Sequence, residues 1–347
     1  MIFLLLLLAV VPAFAGEPLI YPGESHLKNV RQLTFGGQNA EAYFSPDGKS
    51  VVFQSKRDSL QCDQIFMMDP DGKNVRMVST GKGACTCSFF VPGTDEFIYC
   101  STQDHDPACP PKPDRSLGYV WGLFDYDVYR AKNDGSNLRR LTNTAGYDAE
   151  AAVSPDGKEI VFTSARDGDL ELYKMASDGS QQKRLTYTVG YDGGPFFTPD
   201  GKHIVYRAFH PATTAQLSRW NELWQKQVVA PMDLELWIMD RDGGNQRQVT
   251  NLHATSFCPY MSPDGNWIIF TSTYGDSLSK GGMPNFDLYR IHPDGSGLER
   301  ITTSPVFDGF PMWSYDGKWL LFASNRGVTK APHETNVFIA EWQGVTP

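Results

Sequence analysis

A four-residue pattern that returns along the chain constrains this protein more than any other feature. Ser45-Pro46-Asp47-Gly48 recurs as Ser154-Pro155-Asp156-Gly157, Thr198-Pro199-Asp200-Gly201, Ser262-Pro263-Asp264-Gly265 and Ser314-Tyr315-Asp316-Gly317, with a degenerate copy at Val91-Pro92-Gly93-Thr94. Its chemistry is that of a hairpin turn: proline presets φ, aspartate bonds its own backbone, and glycine accepts φ > 0. An apolar or aromatic run precedes each copy. A β-rich run follows each: Val51-Val52-Phe53, Phe97-Ile98-Tyr99, Ile160-Val161-Phe162, Ile204-Val205-Tyr206, Ile268-Ile269-Phe270 and Leu320-Leu321-Phe322.

A third run comes next, typified by Glu171-Leu172-Tyr173 and Asp287-Leu288-Tyr289. In five repeats it ends in a second turn: Asp71-Gly72, Asp134-Gly135, Asp178-Gly179, Asp242-Gly243 and Asp294-Gly295. A fourth run of the form Arg-x-Leu-Thr then closes the unit, as at Arg140–Thr142 and Arg184–Thr186. Four antiparallel strands repeated six times predict an all-β chain folded as a six-bladed propeller. The sixth repeat lacks its fourth run, and an unpaired one, Val30–Thr34, stands ahead of the first. This N-terminal strand is expected to complete the last blade, closing the ring and removing an open sheet edge. The expected blades lie near residues 40–80, 86–143, 149–187, 193–251, 257–303 and 309–342 plus 30–34, within a propeller over 30–347.

Composition agrees with this. With 32 Gly, 23 Pro and 41% hydrophobic residues, the chain is turn-rich and globular. The net charge of −9 disfavours nucleic acid and suits a cationic or metal-bearing partner. Ile2–Val11 is an unbroken apolar run followed by Ala13-Phe14-Ala15. It reads as a signal peptide over 1–15, too short to span a bilayer, with a lead over 16–29. The reading is a secreted protein, extracellular or, in a bacterium, periplasmic, with no membrane span. Its six cysteines then suggest disulfides, with candidates Cys62, Cys85, Cys87, Cys100 and Cys109. Cys62 with Cys85 or Cys87, and Cys100 with Cys109, are the expected pairings, leaving Cys258 distant.

The alternation of Arg-x-Leu-Thr, Ser-Pro-Asp-Gly and x-Asp-Gly resembles the repeat of TolB-type propellers, over residues 27–343. The resemblance implies a six-bladed ring and a surface that docks protein. It identifies no reaction, because such rings serve binding scaffolds and enzyme accessory domains alike.

In a four-stranded blade the short turns share one face. The second-to-third loops and the inter-blade connections share the other. Every insertion falls on that second face: Gln103–Phe124, His210–Met232 and Tyr274–Asn285. Thr213 and Gln216 signal a capping box, and Leu217, Trp220, Leu223, Trp224 and Val228 follow helical spacing. This predicts a helix ending before Pro231, as either a structural clasp or a lid over the channel.

The inter-blade connections supply Glu41, Tyr147, Asp148, Glu150, Tyr191, Asp192 and Asp308. Second-strand ends supply Arg166, Arg207 and Arg326. Two readings stand. These residues ring the channel mouth as a ligand site with aromatic walls, or they pair as staples that hold the blades. His105, His210, His253 and His333 map to the same face. Some propeller lyases acting on pectic fragments bind a metal through histidines there, so a divalent cation is the alternative to no cofactor. No G-x-S-x-G, H-E-x-x-H or phosphate-loop motif occurs. The leading expectation is a binding scaffold for a protein segment, peptide or glycan, more a non-enzyme than an enzyme. The alternative is a metal-assisted polysaccharide lyase or hydrolase.

Overall fold

Six four-stranded antiparallel sheets are arranged as the blades of one ring, as the repeats predict. The computed structural model describes residues 19–114, 116, 120–230, 232–276, 285–327 and 334–344. The expected signal peptide, His333, Pro231 and part of the Tyr274–Asn285 insert lie outside the described residues. The inner strands are Gln38–Phe44, Cys85–Phe90, Asp148–Val153, Tyr191–Phe197, Ser256–Met261 and Asp308–Trp313. The last blade continues through Trp319–Ser324 and Asn336–Trp342 to Leu27–Gln32, with Leu27 opposite Trp342 and Gln32 opposite Phe338. The N-terminal strand therefore closes the ring. No helix among the described residues is long and apolar enough to cross a membrane.

The Ser-Pro-Asp-Gly turns are built alike. In blade 3 the Ser154 hydroxyl donates to Asp156 at 2.6 Å, and the Gly157 N–H donates to the Ser154 carbonyl at 2.8 Å. Gly157 takes φ +69°, which a side chain would disfavour. An aromatic ring midway along each second strand (Phe53, Tyr99, Phe162, Tyr206, Phe270, Phe322) is fully buried. Burial of a large apolar side chain contributes about 1.5–3 kcal/mol.

The fourth run ends in a hydroxyl for a reason visible in every blade. Ser79, Thr142, Thr186, Thr250, Thr302 and Thr34 each accept the N–H of the second residue of a third strand at 2.8–2.9 Å. Each also donates to the carboxylate or amide that opens that strand: Gln64, Asp127, Glu171, Glu235, Asp287 or Asn336. In blades 2, 3 and 5 an arginine two residues ahead of the threonine (Arg140, Arg184, Arg300) pairs with the same carboxylate at 2.5 Å. A buried acid is thereby neutralised and the outer strand is locked onto its neighbour.

The blade 4 insert forms a helix, Thr214–Gln225, with the expected Thr213–Gln216 capping box. Trp220 and Leu223 are buried, while Leu217 is exposed. Val228 belongs not to the helix but to a short strand, Val228–Val229, paired with Trp121–Gly122 of the blade 2 insert. The two inserts are thus tied together, and Asp169 of blade 3 accepts a hydrogen bond from Trp220 beneath them.

The disulfide differs from the expected pairings. Cys62 bonds Cys109, with their Cα atoms 5.7 Å apart, which fastens the blade 2 insert to the blade 1 loop. Cys85, Cys87 and Cys100 are free thiols, as is Cys258. The reason is strand geometry. Cys85 and Cys100 sit inside paired strands, Cys85 against Ser101 and Gln64, and Cys87 faces the central channel. Only Cys62 and Cys109 share the outer loop surface.

Candidate functional site

Each inner strand carries a β-bulge at the same place, where the pairing register slips. The residue at the bulge has positive φ in all six blades: Glu41 +50°, Cys87 +51°, Glu150 +57°, Gly194 +57°, Cys258 +51° and Phe310 +54°. A bulge re-aims a side chain out of the pleat alternation. All six residues line one cavity of about 740 Å³ at the centre of the insert-bearing face. Two residues further along, Tyr43, Phe89, Phe196 and Tyr260 come from four blades and pack in tilted and edge-to-face contacts at 5.4–6.1 Å, filling the channel below. The site is therefore a cup rather than a through-channel.

Its walls differ in character. Phe257, Phe286, Phe307 and Phe310 form an edge-to-face cluster on the side of blades 5 and 6. The side of blades 3 and 4 is ionic. Gly194 leaves its ring position empty, and the Arg207 guanidinium fills it: a Cβ on Gly194 would collide with Arg207 Nη1. Arg207 pairs with Glu150 across the blade boundary. Glu150 also accepts from Tyr191 at 2.9 Å, Thr163 at 2.8 Å and the Gly194 N–H at 2.8 Å. Arg207 Nε keeps no hydrogen-bond partner, although only 9% of the residue is exposed.

Glu41 is the contrast. It has no ion-pair partner among the described residues. Burial pushes its carboxyl up to about 7, with the Glu150 charge adding to the rise. The Cys87 thiol hydrogen bond and the Arg207 charge oppose it. Asp63, also in the wall, is pushed up to about 6 by burial, against the pull of Lys56. Burial likewise raises the Cys87 and Cys258 thiols, so neither is a thiolate near neutral pH.

Of the ten expected mouth residues, Glu41, Tyr147, Glu150 and Arg207 line the cup, and Tyr191 braces Glu150 from behind. The other five sit in buried pairs within their own blades. Asp148 holds Arg166 at 2.8 Å and Ser164 at 2.6 Å. Arg326 is fully buried between Asp308 and Glu24, at 2.6 and 2.9 Å. Asp192 takes His210 at 2.9 Å. Burial raises Asp148, Asp192 and Asp308, and these partners pull them back. The histidines are not brought together: His105 pairs with Asp127 at 2.7 Å, and exposed His253 lies 3.8 Å from Asp233. Among the described residues no three His, Cys, Asp or Glu side chains gather as metal ligands.

Sequence reasoning placed Cys87 among the disulfide candidates, set Cys258 aside as distant and overlooked Asp63 and Phe286, while the aromatic walls it expected at the mouth are supplied by Phe257, Phe307 and Phe310. One signal was available. In the six aligned inner strands, the bulge position runs through acid, thiol, acid, glycine, thiol and phenyl.

The fold and the cup define a six-bladed propeller with one elaborated face. A family model described as the TolB beta propeller domain matches residues 123–221. With its repeats running through all six blades, the chain is similar to TolB-type propellers. An uncharacterized protein of Agrobacterium fabrum is 33% identical over 90 residues, which span 26% of this chain and only 28% of that relative. A TolB candidate structure from Agrobacterium tumefaciens superposes with a TM-score of 0.57 at 17% identity, covering 89% of this chain and 91% of that one. The oligogalacturonate lyase of Vibrio parahaemolyticus superposes at 0.55 with 11% identity, covering 89% and 79%. Identities this low establish the shared fold alone.

Proposed function

We propose that this protein is an exported recognition module that takes a protein segment, peptide or glycan in the cup. One observation carries the reading. Six equivalent bulges present five side chains of mixed chemistry, with Arg207 over the glycine of the sixth, to a single cavity of about 740 Å³, while the opposite face bears uniform turns. A concave site with an apolar wall and a few converging polar groups is the usual form of a binding site. The apolar leader and the Cys62–Cys109 bond support export to an oxidising compartment, extracellular or periplasmic.

A photo-crosslinking amino acid placed at Phe310 in the cup, or at Lys49 in a turn on the opposite face, tests this in native extracellular fluid. A partner captured from Phe310 but not from Lys49 is the expected result. Equal capture from both sites would remove the cup from the account.

Metal-assisted lyase or hydrolase chemistry is the alternative, favoured by the lyase that shares the fold. Metal analysis after mild dialysis separates the two. Stoichiometric, tightly held Mn, Ca or Zn would move the reading to the enzyme.

A further inference from the structure

The charges of the cup do not balance. Its wall holds three carboxylates, Glu41, Asp63 and Glu150, against one guanidinium, Arg207. Glu150 uses both oxygens on Arg207, Tyr191, Thr163 and Gly194. Glu41 and Asp63 have no ion-pair partner among the described residues, and the Phe257–Phe310 cluster shares their cavity. Carboxylates without a counter-charge that share a cavity with aromatic rings are surroundings that favour a nitrogen cation, through ion pairing and the ring quadrupole together. A second observation points to a ligand. The Arg207 Nε–H, in a side chain nine-tenths buried over Gly194, is an unanswered donor that a carbonyl oxygen would satisfy.

Resting on the recognition reading above, we propose that the cup receives the cationic nitrogen of a peptide. This is a lysyl or arginyl side chain or a free amino terminus, held by Glu41 and Asp63, with a peptide carbonyl on Arg207 Nε.

The groups facing Glu41 set the pH behaviour: Cys87, Glu150, Arg207 and Asp63, with Tyr43 and Cys258 beside them. Near neutral pH an arriving cation draws Glu41 into its ionised form, so binding releases a proton and tightens as pH rises from about 6 to about 8.

The test is titration calorimetry at pH 6.5, in two buffers of different ionisation enthalpy, with blocked tripeptides centred on lysine, arginine, acetyl-lysine or glutamate. A trialanine amide with a free amino terminus is added. The expected result is binding of one or more of the cationic peptides with proton release, and at least tenfold weaker binding of the acetyl-lysine and glutamate peptides. Glu41→Gln should weaken the cationic peptide about 10- to 100-fold, as loss of a charged hydrogen bond does. Its unfolding midpoint in urea, measured alongside, confirms that the variant is folded. Binding of acetyl-lysine or glutamate peptides as tight as that of lysine, or indifference to Glu41→Gln, overturns the cation while leaving the cup as a peptide site. Failure of every peptide overturns the cation and also withdraws peptide as the occupant of the cup.

Discussion

Two rings of equivalent positions run around this propeller, and they have opposite characters. The outer ring is the clamp of hydroxyl, acid or amide, and backbone N–H, built from nearly the same residues in all six blades. The inner ring is the bulge, where Glu41, Cys87, Glu150, Gly194, Cys258 and Phe310 share a backbone conformation and little chemistry. A position that must satisfy the same buried strand end in each blade admits one solution, so it repeats. A position that faces an open cavity is released from that demand and diverges. Repetition here marks what folds the ring, and divergence at matched positions marks what the ring presents.

Substitutions that mix the two roles can break this comparison. The largest effect is expected at the staple of blade 6. Arg326→Met leaves Asp308 and Glu24 buried without their counter-charge, and should cost about 3–5 kcal/mol in urea unfolding. An unchanged midpoint would show that the buried pairs are incidental. Next comes the clamp. Thr186→Val removes the donor to buried Glu171 and the acceptor of the Leu172 N–H, for about 1–3 kcal/mol. Loss of cup binding without loss of stability would contradict its assignment to the outer ring.

A smaller effect belongs to Glu41. Its folded pKa, about 7, lies above the ordinary value, so the folded state holds the proton more tightly than the unfolded chain. Wild-type stability should therefore fall as pH rises from about 4.5 through about 7. Glu41→Gln should be free of this fall. Parallel midpoint–pH curves for the two proteins would show that Glu41 is solvated. The smallest effect is expected at Cys258→Ser, a near-isosteric change at a bulge that clamps nothing, at under about 1 kcal/mol in the same assay.

The legibility of the sequence follows the same division. Turn chemistry and strand periodicity are local, so the blades, the closing strand and the Thr213–Gln216 capping box could all be read from short windows. The mouth was read coarsely. Asp148, Asp192 and Asp308 share the inter-blade motif with Glu150, yet they sit two residues before the bulge and turn into buried pairs. The slip of register that separates them leaves no fixed residue type behind. The cysteines show the same limit, because Cys62 reaches Cys109 over 47 residues through two loops that meet only once adjacent blades are packed.

By itself, then, the sequence determined the number of blades, their strand order and the face that carries the insertions, since each is written in turn chemistry and strand periodicity that recur in short stretches of the chain. Tertiary structure alone decided which acids are neutralised and which stand open, how Arg207 comes to occupy the place of Gly194, and that the channel closes into a cup. Those features depend on side chains from different blades converging on one axis, and convergence of that kind is set by the closure of the ring.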